Sequence, residues 1–203
     1  MGTFSKLIMI QTIYSNNCRL CSDINEHLPT LYNLALSVQT ITEMGTRNGS
    51  STSAFLAAIC DTEKTLTSVD LFKSDIIDTF LCQKNFKFIQ ADTLKIEIEN
   101  TDLLFIDTLH TYFQLFNELT KHSKKVFKYI ILHDTISFGY NDEQYYQSSD
   151  LVKMSDLVKE TSKSGLNTAV TDFLETEDGK NWIIKAVYTN NNGLTVLERI
   201  SAI

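Results

Sequence analysis

The side chains of this sequence that could do chemistry fall at the ends of short apolar runs. An acid precedes a glycine bend in Glu43-x-Gly45-x-Arg47-x-Gly49-Ser50, a second acid, Asp70, closes the run 65–70, and Asp92 follows the run 86–90. Further on stand Asp107-x-x-His110 and the adjacent pair His133-Asp134. Two glycines at a strand-to-helix turn let the backbone bend sharply and let a ligand approach it closely. The carboxylate of Glu43 in front of them would repel a pyrophosphate and suits a ligand carrying positive charge. An acid about 20 residues beyond such a turn is where nucleotide-binding α/β folds bond ribose hydroxyls, and Asp70 fits that spacing. Two carboxylates and an imidazole, Asp107, Asp134 and His133, could hold a divalent cation, with water and substrate oxygens completing its shell. His110, with an ordinary pKa near ~6.5, suits a general base at neutral pH.

These groups meet only if α/β units carry them to one sheet edge. Residues 38–44 read as a strand through Val38, Ile41 and Met44, and from Ser51 the apolar residues Ala54, Phe55, Leu56, Ala58 and Ile59 take helical spacing. Ser50 or Ser51 is the expected N-cap. Strands are expected at 65–70, 86–90, 102–107 and 127–132, with helices over 74–84 and 111–125. The run 102–107 is almost wholly apolar, as in a parallel strand covered on both faces. A helix over 22–37, capped by Ser22 and kinked by Pro29, precedes the first strand. Residues 1–17 form a short strand or an arm over the site. The tyrosine-rich stretch 136–149 is a long loop suited to covering an acceptor substrate. A helix over 150–164 follows, then strands at 168–174 and 182–188 around an Asp178-Gly179 hairpin, and a short last strand at 194–199.

Composition narrows the function classes. A chain of 203 residues suits one domain, with 1–21 as an N-terminal arm. A formal net charge of −7 argues against a nucleic-acid or anionic-membrane surface. The apolar run 7–13 is too short to span a bilayer and makes a poor signal peptide. Cys60 and Cys82 are expected as reduced core residues, and Cys18-x-x-Cys21 lacks a second ligand pair for zinc. The expected compartment is the cytoplasm.

The spacing Glu43-x-Gly45-x-Arg47-x-Gly49-Ser50 resembles motif I of class I S-adenosylmethionine-dependent methyltransferases. Phe-Ile-Asp107-Thr-Leu-His110 and Leu-His133-Asp134-Thr, together with the segment from Ser22 to Tyr32 and the ending Gly193-Leu-Thr-Val-Leu, resemble the small-molecule O-methyltransferase family that includes macrocin-type sugar O-methyltransferases and cephalosporin-hydroxylase-like proteins. The resemblance implies a Rossmann-like, seven-stranded sheet in the order 3-2-1-4-5-7-6, with helices on both faces. It also implies S-adenosylmethionine bound by Glu43, Gly45, Arg47, Gly49, Ser50, Asp70 and Asp92, the last near the adenine amino group. Asp107 and Asp134 would ligate a divalent cation, Mg2+ or similar, and His110 would be the base, paired with Asp107. His133 stands where relatives usually carry a second acid; an imidazole there ligates a softer metal than magnesium or orients substrate. Thr135 replaces the asparagine of catechol-type enzymes. The expected partner is a small-molecule hydroxyl acceptor, such as a sugar, with no nucleic acid and no membrane; a homodimer is compatible with the pattern. Two alternatives stay open: a non-catalytic S-adenosylmethionine-binding protein with a degenerate metal site, and a nicotinamide-dependent oxidoreductase, against which the missing third glycine counts.

Overall fold

The computed structural model describes residues 3–144, 159 and 161–200, with side chains from residue 7 onward. Seven strands form one sheet: β1 (Thr40–Met44), β2 (Thr65–Asp70), β3 (Phe86–Gln90), β4 (Thr101–Ile106), β5 (Val126–His133), β6 (Trp182–Tyr188) and β7 (Leu194–Arg199). Their order is β3-β2-β1-β4-β5-β7-β6. The first five strands run parallel and β7 is antiparallel to both neighbours. In register, Met44 pairs with Ile106 and Ile106 with Leu132. The chain therefore leaves β1, β4 and β5 side by side at one carboxyl edge, the switch point at which open α/β sheets bind ligands.

Helices α1 (Thr3–Arg19), α2 (Leu28–Leu36), α3 (Ser50–Ile59), α4 (Asp75–Phe80), α5 (Tyr112–His122) and α6 (Leu166–Leu174) surround the sheet. Side-chain alternation along the central strands divides the core in two. Leu103 and Phe105 of β4 and Ile131 of β5 pack with Phe55, Leu28 and Ile10. Leu104, Ile106, Ile130 and Leu132 pack on the opposite face with Leu115, Leu119 and Phe173. Apolar residues on both faces of β4 and β5 are why these strands read as continuous runs rather than alternating ones.

The structure differs from the sequence reading in several elements. Where the sequence allows a short strand or an arm over 1–17, the described part is α1, which lies on α3 through Gln11 Nε2 to Ala57 O (2.9 Å) and Asn17 Nδ2 to Ser53 Oγ (3.0 Å). Pro29 does not kink a long helix: it lies in the first turn of α2, where its missing N–H costs nothing. Ser22 instead accepts from Asn25 N at 3.1 Å, at the start of the 3-10 turn Asn25–His27 ahead of it. The expected strand 168–174 is helix α6, because Leu166, Ala169, Val170 and Phe173 recur at helical spacing and face the core. Asp178-Gly179 consequently opens a short 3-10 turn, and the antiparallel hairpin is β6–β7, closed by residues 189–193. Cys60 and Cys82 are partly exposed rather than core. Tyr145, Tyr146 and most of the helix expected over 150–164 lie outside the described residues, and its described tail, 161–164, is not helical.

Candidate active site

The glycine bend works through contact between β1 and β4. Gly45 has φ +86°, and a Cβ placed there would stand 1.9 Å from the carbonyl oxygen of Asp107, so no other residue fits. Gly45 N donates to Val69 O and Asp107 N to Met44 O, both at 2.9 Å, which knits the ends of β1, β2 and β4 together. Arg47 follows at φ +41° and Gly49, at φ +72°, is the N-cap of α3.

Glu43 does not face outward toward a ligand. It is fully buried beneath the bend, where Ser51 Oγ (2.6 Å), Thr52 Oγ1 (2.8 Å) and Ser68 Oγ (2.5 Å) donate to its carboxyl. Burial pushes its pKa up to about 7, against the lowering effect of those three hydroxyls. Its position corrects the expectation of a direct contact: Glu43 ties α3 and β2 to β1 and so shapes the loop from below.

Beside the loop opens a cavity of about 680 Å³, lined by Gly45, Arg47, Asn48, Asp70, Asp92 and Asp107, with Leu71, Phe72, Leu109 and Phe113 as apolar walls. Its size and mixture of apolar walls with a few polar groups suit a nucleoside-sized ligand. Asp70 Oδ2 accepts from Thr46 N (2.7 Å), Thr46 Oγ1 (2.9 Å) and Arg47 N (3.2 Å), so the expected ribose ligand also anchors the loop. Asp92 lies across the cavity, its Oδ1 accepting from Leu94 N at 2.9 Å. Gly49 and Ser50 lie outside the lining; Gly49 turns the chain into α3 and a Cβ there would meet Phe80 at 2.7 Å. Behind the wall, Glu118 is fully buried among Thr93, Gln114 and Thr108, and burial raises its carboxyl to about 7.

At the cavity's inner end β4 and β5 deliver a cluster of acids and imidazoles. His110 Nε2 stands 3.2 Å from Asp107 Oδ1 and 2.9 Å from Asp134 Oδ2, and its Nδ1 lies 2.7 Å from Glu143 Oε2. Phe138 stacks on the His110 ring, centroids 4.9 Å apart and planes 5° from parallel. His133 Nδ1 stands 3.1 Å from Asp134 Oδ2 and 3.4 Å from Asp107 Oδ1. Burial opposes charging both imidazoles, but the carboxylates outweigh it: His110 is raised to about 12 and His133 to about 10, while the two imidazoles hold Asp107 and Asp134 low. Asp134 adopts φ +60°, a left-handed conformation that aspartate tolerates better than most residues.

The structure thus joins Asp107, His110, His133 and Asp134 as the sequence suggested, and sets Gly45, Arg47, Asp70 and Asp92 around the adjoining cavity. It adds groups the sequence reading missed. Glu143 grips His110 by side chain and also by its own N–H, which donates to His110 O at 2.9 Å. Asp23 takes the Arg47 guanidinium through both oxygens at 2.8 and 2.7 Å, a pair 24 residues apart that no local pattern announces.

Residues 42–135 match the family model described as a methyltransferase domain. No curated protein sequence matches the chain. Among solved structures, the SAH-bound methyltransferase PaMTH1 of Podospora anserina is similar at 12% identity and a TM-score of 0.61, over 98% of this chain and 88% of that one. An O-methyltransferase from Bacillus cereus in complex with SAH matches at 12% identity and a TM-score of 0.59, over 97% and 91% of the two chains. The N-methyltransferase NodS of Bradyrhizobium japonicum, with S-adenosyl-L-homocysteine, matches at 14% identity and a TM-score of 0.57, over 88% of each. The sheet order and the structural likenesses give the chain the fold of these methyltransferases, and residues 42–135 carry the match to a methyltransferase domain. Among the described residues no helix is long and apolar enough to cross a membrane.

Proposed function

We propose that the protein transfers a methyl group from S-adenosylmethionine to a hydroxyl of a small molecule, such as a sugar, with a divalent cation and His110 activating that hydroxyl. The observation that carries the reading is the junction of the two halves: Asp107 lines the donor-sized cavity and is also part of the acid–imidazole cluster. An acceptor held there would stand beside the donor's methyl group, and such positioning supplies much of the acceleration of a two-substrate displacement.

The chain's own groups divide the work. Gly45, Arg47, Asn48, Asp70 and Asp92 bound the donor cavity, while Glu43 holds the loop from beneath. Methyl transfer forms the carbon–oxygen bond as the carbon–sulfur bond breaks, and the sulfur keeps the electron pair. With its Nδ1 hydrogen on Glu143, His110 would take the hydroxyl proton at Nε2, which must first give up the proton that Asp107 and Asp134 hold there. What supports a cation is that Asp107, His110 and Asp134 offer donor atoms within 4.8 Å of one another, and that His133 Nδ1 and Asp134 Oδ1 are buried with no hydrogen-bond partner among the described residues. A divalent cation on Asp107, His133 and Asp134 would lower the hydroxyl pKa and relieve His110 of the carboxylates that otherwise keep it protonated.

The test begins with calorimetry of S-adenosylhomocysteine binding, followed by transfer of a labelled methyl group to a panel of sugars and other small hydroxyl compounds with added divalent ions. Binding together with ion-dependent labelling is expected. Absence of S-adenosylhomocysteine binding would refute the donor assignment. Binding without transfer to any acceptor would favour a non-catalytic S-adenosylmethionine-binding protein, a reading that the mutual neutralisation of imidazoles and carboxylates supports.

A further inference from the structure

The reading above requires a divalent cation without choosing one, but the donor atoms do choose. His133 is 3% exposed, and its Nε2 lies 3.2 Å from the carbonyl oxygens of both Asp23 and Asn191. Carbonyls only accept, so Nε2 carries a hydrogen. The other nitrogen, Nδ1, points at Asp134 Oδ2 and Asp107 Oδ1 from 3.1 and 3.4 Å and has no hydrogen-bond partner among the described residues. Positive charge must lie between this nitrogen and the two carboxylate oxygens: a proton, which makes the ring the imidazolium described above, or a metal ion in its place. One ring N–H on a backbone carbonyl, with the second nitrogen aimed at carboxylates, is how proteins orient an imidazole that binds a metal. Neighbouring donors on an ion with bonds of ~2.1 Å stand about 3.0 to 3.4 Å apart in octahedral or tetrahedral shells, which these separations match.

Mg2+ and Ca2+ take oxygen ligands and gain little from imidazole, whereas Co2+, Ni2+ and Zn2+ bind it well. We propose that this site takes a first-row transition ion in preference to Mg2+, with His133 Nδ1 as the selecting ligand beside Asp107 and Asp134. The inference rests on the metal-assisted reading above and adds the class of ion. Asp23 and Asn191 act as positioning residues through their carbonyls: one comes from the turn ahead of α2, the other from the β6–β7 hairpin, and together they aim the ring.

The experiment titrates the metal-stripped full chain with Co2+, Zn2+ and Mg2+, reading calorimetric affinity and the visible absorption of bound Co2+. One Co2+ or Zn2+ per chain is expected, bound at least ~100-fold more tightly than Mg2+. His133→Asp, an all-oxygen set, should shrink that preference to below ~10-fold, and His133→Asn, which also offers an oxygen near the Nδ1 position, is the second variant should the first not fold. Equal or tighter Mg2+ binding would overturn the inference and leave the metal-assisted reading intact. A preference unchanged in both variants would also overturn it, since another site would then be selecting the ion. No binding of any ion would overturn both. S-adenosylhomocysteine binding, measured on the same samples, reports separately on the donor cavity.

Discussion

Replacing Glu43 with glutamine separates two roles for that side chain. As a ligand contact, its charge would matter to the donor; as the buried tie observed here, its proton matters to the fold. The folded carboxyl titrates at about 7 against an ordinary 4.5, because burial disfavours the charge. Between those values the folded state retains a proton that the unfolded chain has released. Stability from this group is therefore fully present below 4.5 and is lost as pH rises toward 7, after which the loss levels off. At about 1.4 kcal/mol per pH unit, the loss over that window comes to about 3 kcal/mol. The glutamine amide has the shape of the protonated acid, accepts from these hydroxyls through its oxygen, donates through its NH2 to those that rotate to accept, and cannot ionise. Urea unfolding followed by circular dichroism at a series of pH values should show E43Q and wild type nearly equal near pH 4.5. At pH 7.5 E43Q should be the more stable by about 3 kcal/mol. Comparing the two proteins cancels the parallel contribution of Glu118 and that of the imidazoles. A difference that does not change with pH would refute the buried-proton account. A fall of more than ~10-fold in S-adenosylhomocysteine affinity, with folding intact, would show that Glu43 touches the donor after all.

Other outcomes follow from the same geometry. Gly45→Ala should cost about 2–4 kcal/mol of stability, or abolish S-adenosylhomocysteine binding if the chain still folds, because its Cβ would enter the Asp107 carbonyl; denaturation and calorimetry check this. His110→Ala should lower turnover by ~10²–10⁴-fold while leaving S-adenosylhomocysteine affinity within about twofold, and a fully active variant would remove His110 as base. Asp23→Ala breaks an ion pair whose arginine is 68% exposed, so its effect on unfolding free energy should stay below ~1 kcal/mol. Chelation should suppress methyl transfer, and readding a divalent ion should restore it, as followed by product labelling.

Much of the sheet could be read from local pattern. β2 and β3 fall at the expected residues, and β1, β4 and β5 differ only at their ends, because buried parallel strands are written as dense apolar runs. Asp107-x-x-His110 and His133-Asp134 could be found because strand ends bring their chemistry to one edge. Thr168-Ala-Val-Thr-Asp-Phe-Leu suggests a strand over a few residues, and the spacing that makes it helix α6 begins earlier, at Leu166. The N-terminal turn gave no sign of its role, because Asp23 near a helix start has an adequate local explanation as a partner of the helix dipole.

The amino-acid order alone determined that an acid, two glycines and a helix start follow one another, and that imidazoles and carboxylates close two neighbouring strands. Which way each group faces was decided only by tertiary packing. Glu43 turned inward because three hydroxyls from α3 and β2 converge on it. His133 presents Nδ1 to the acids because two carbonyls more than 50 residues away, one on either side in sequence, claim its other nitrogen. Hydrogen bonds between distant segments have no periodicity, so no window along the chain contains them.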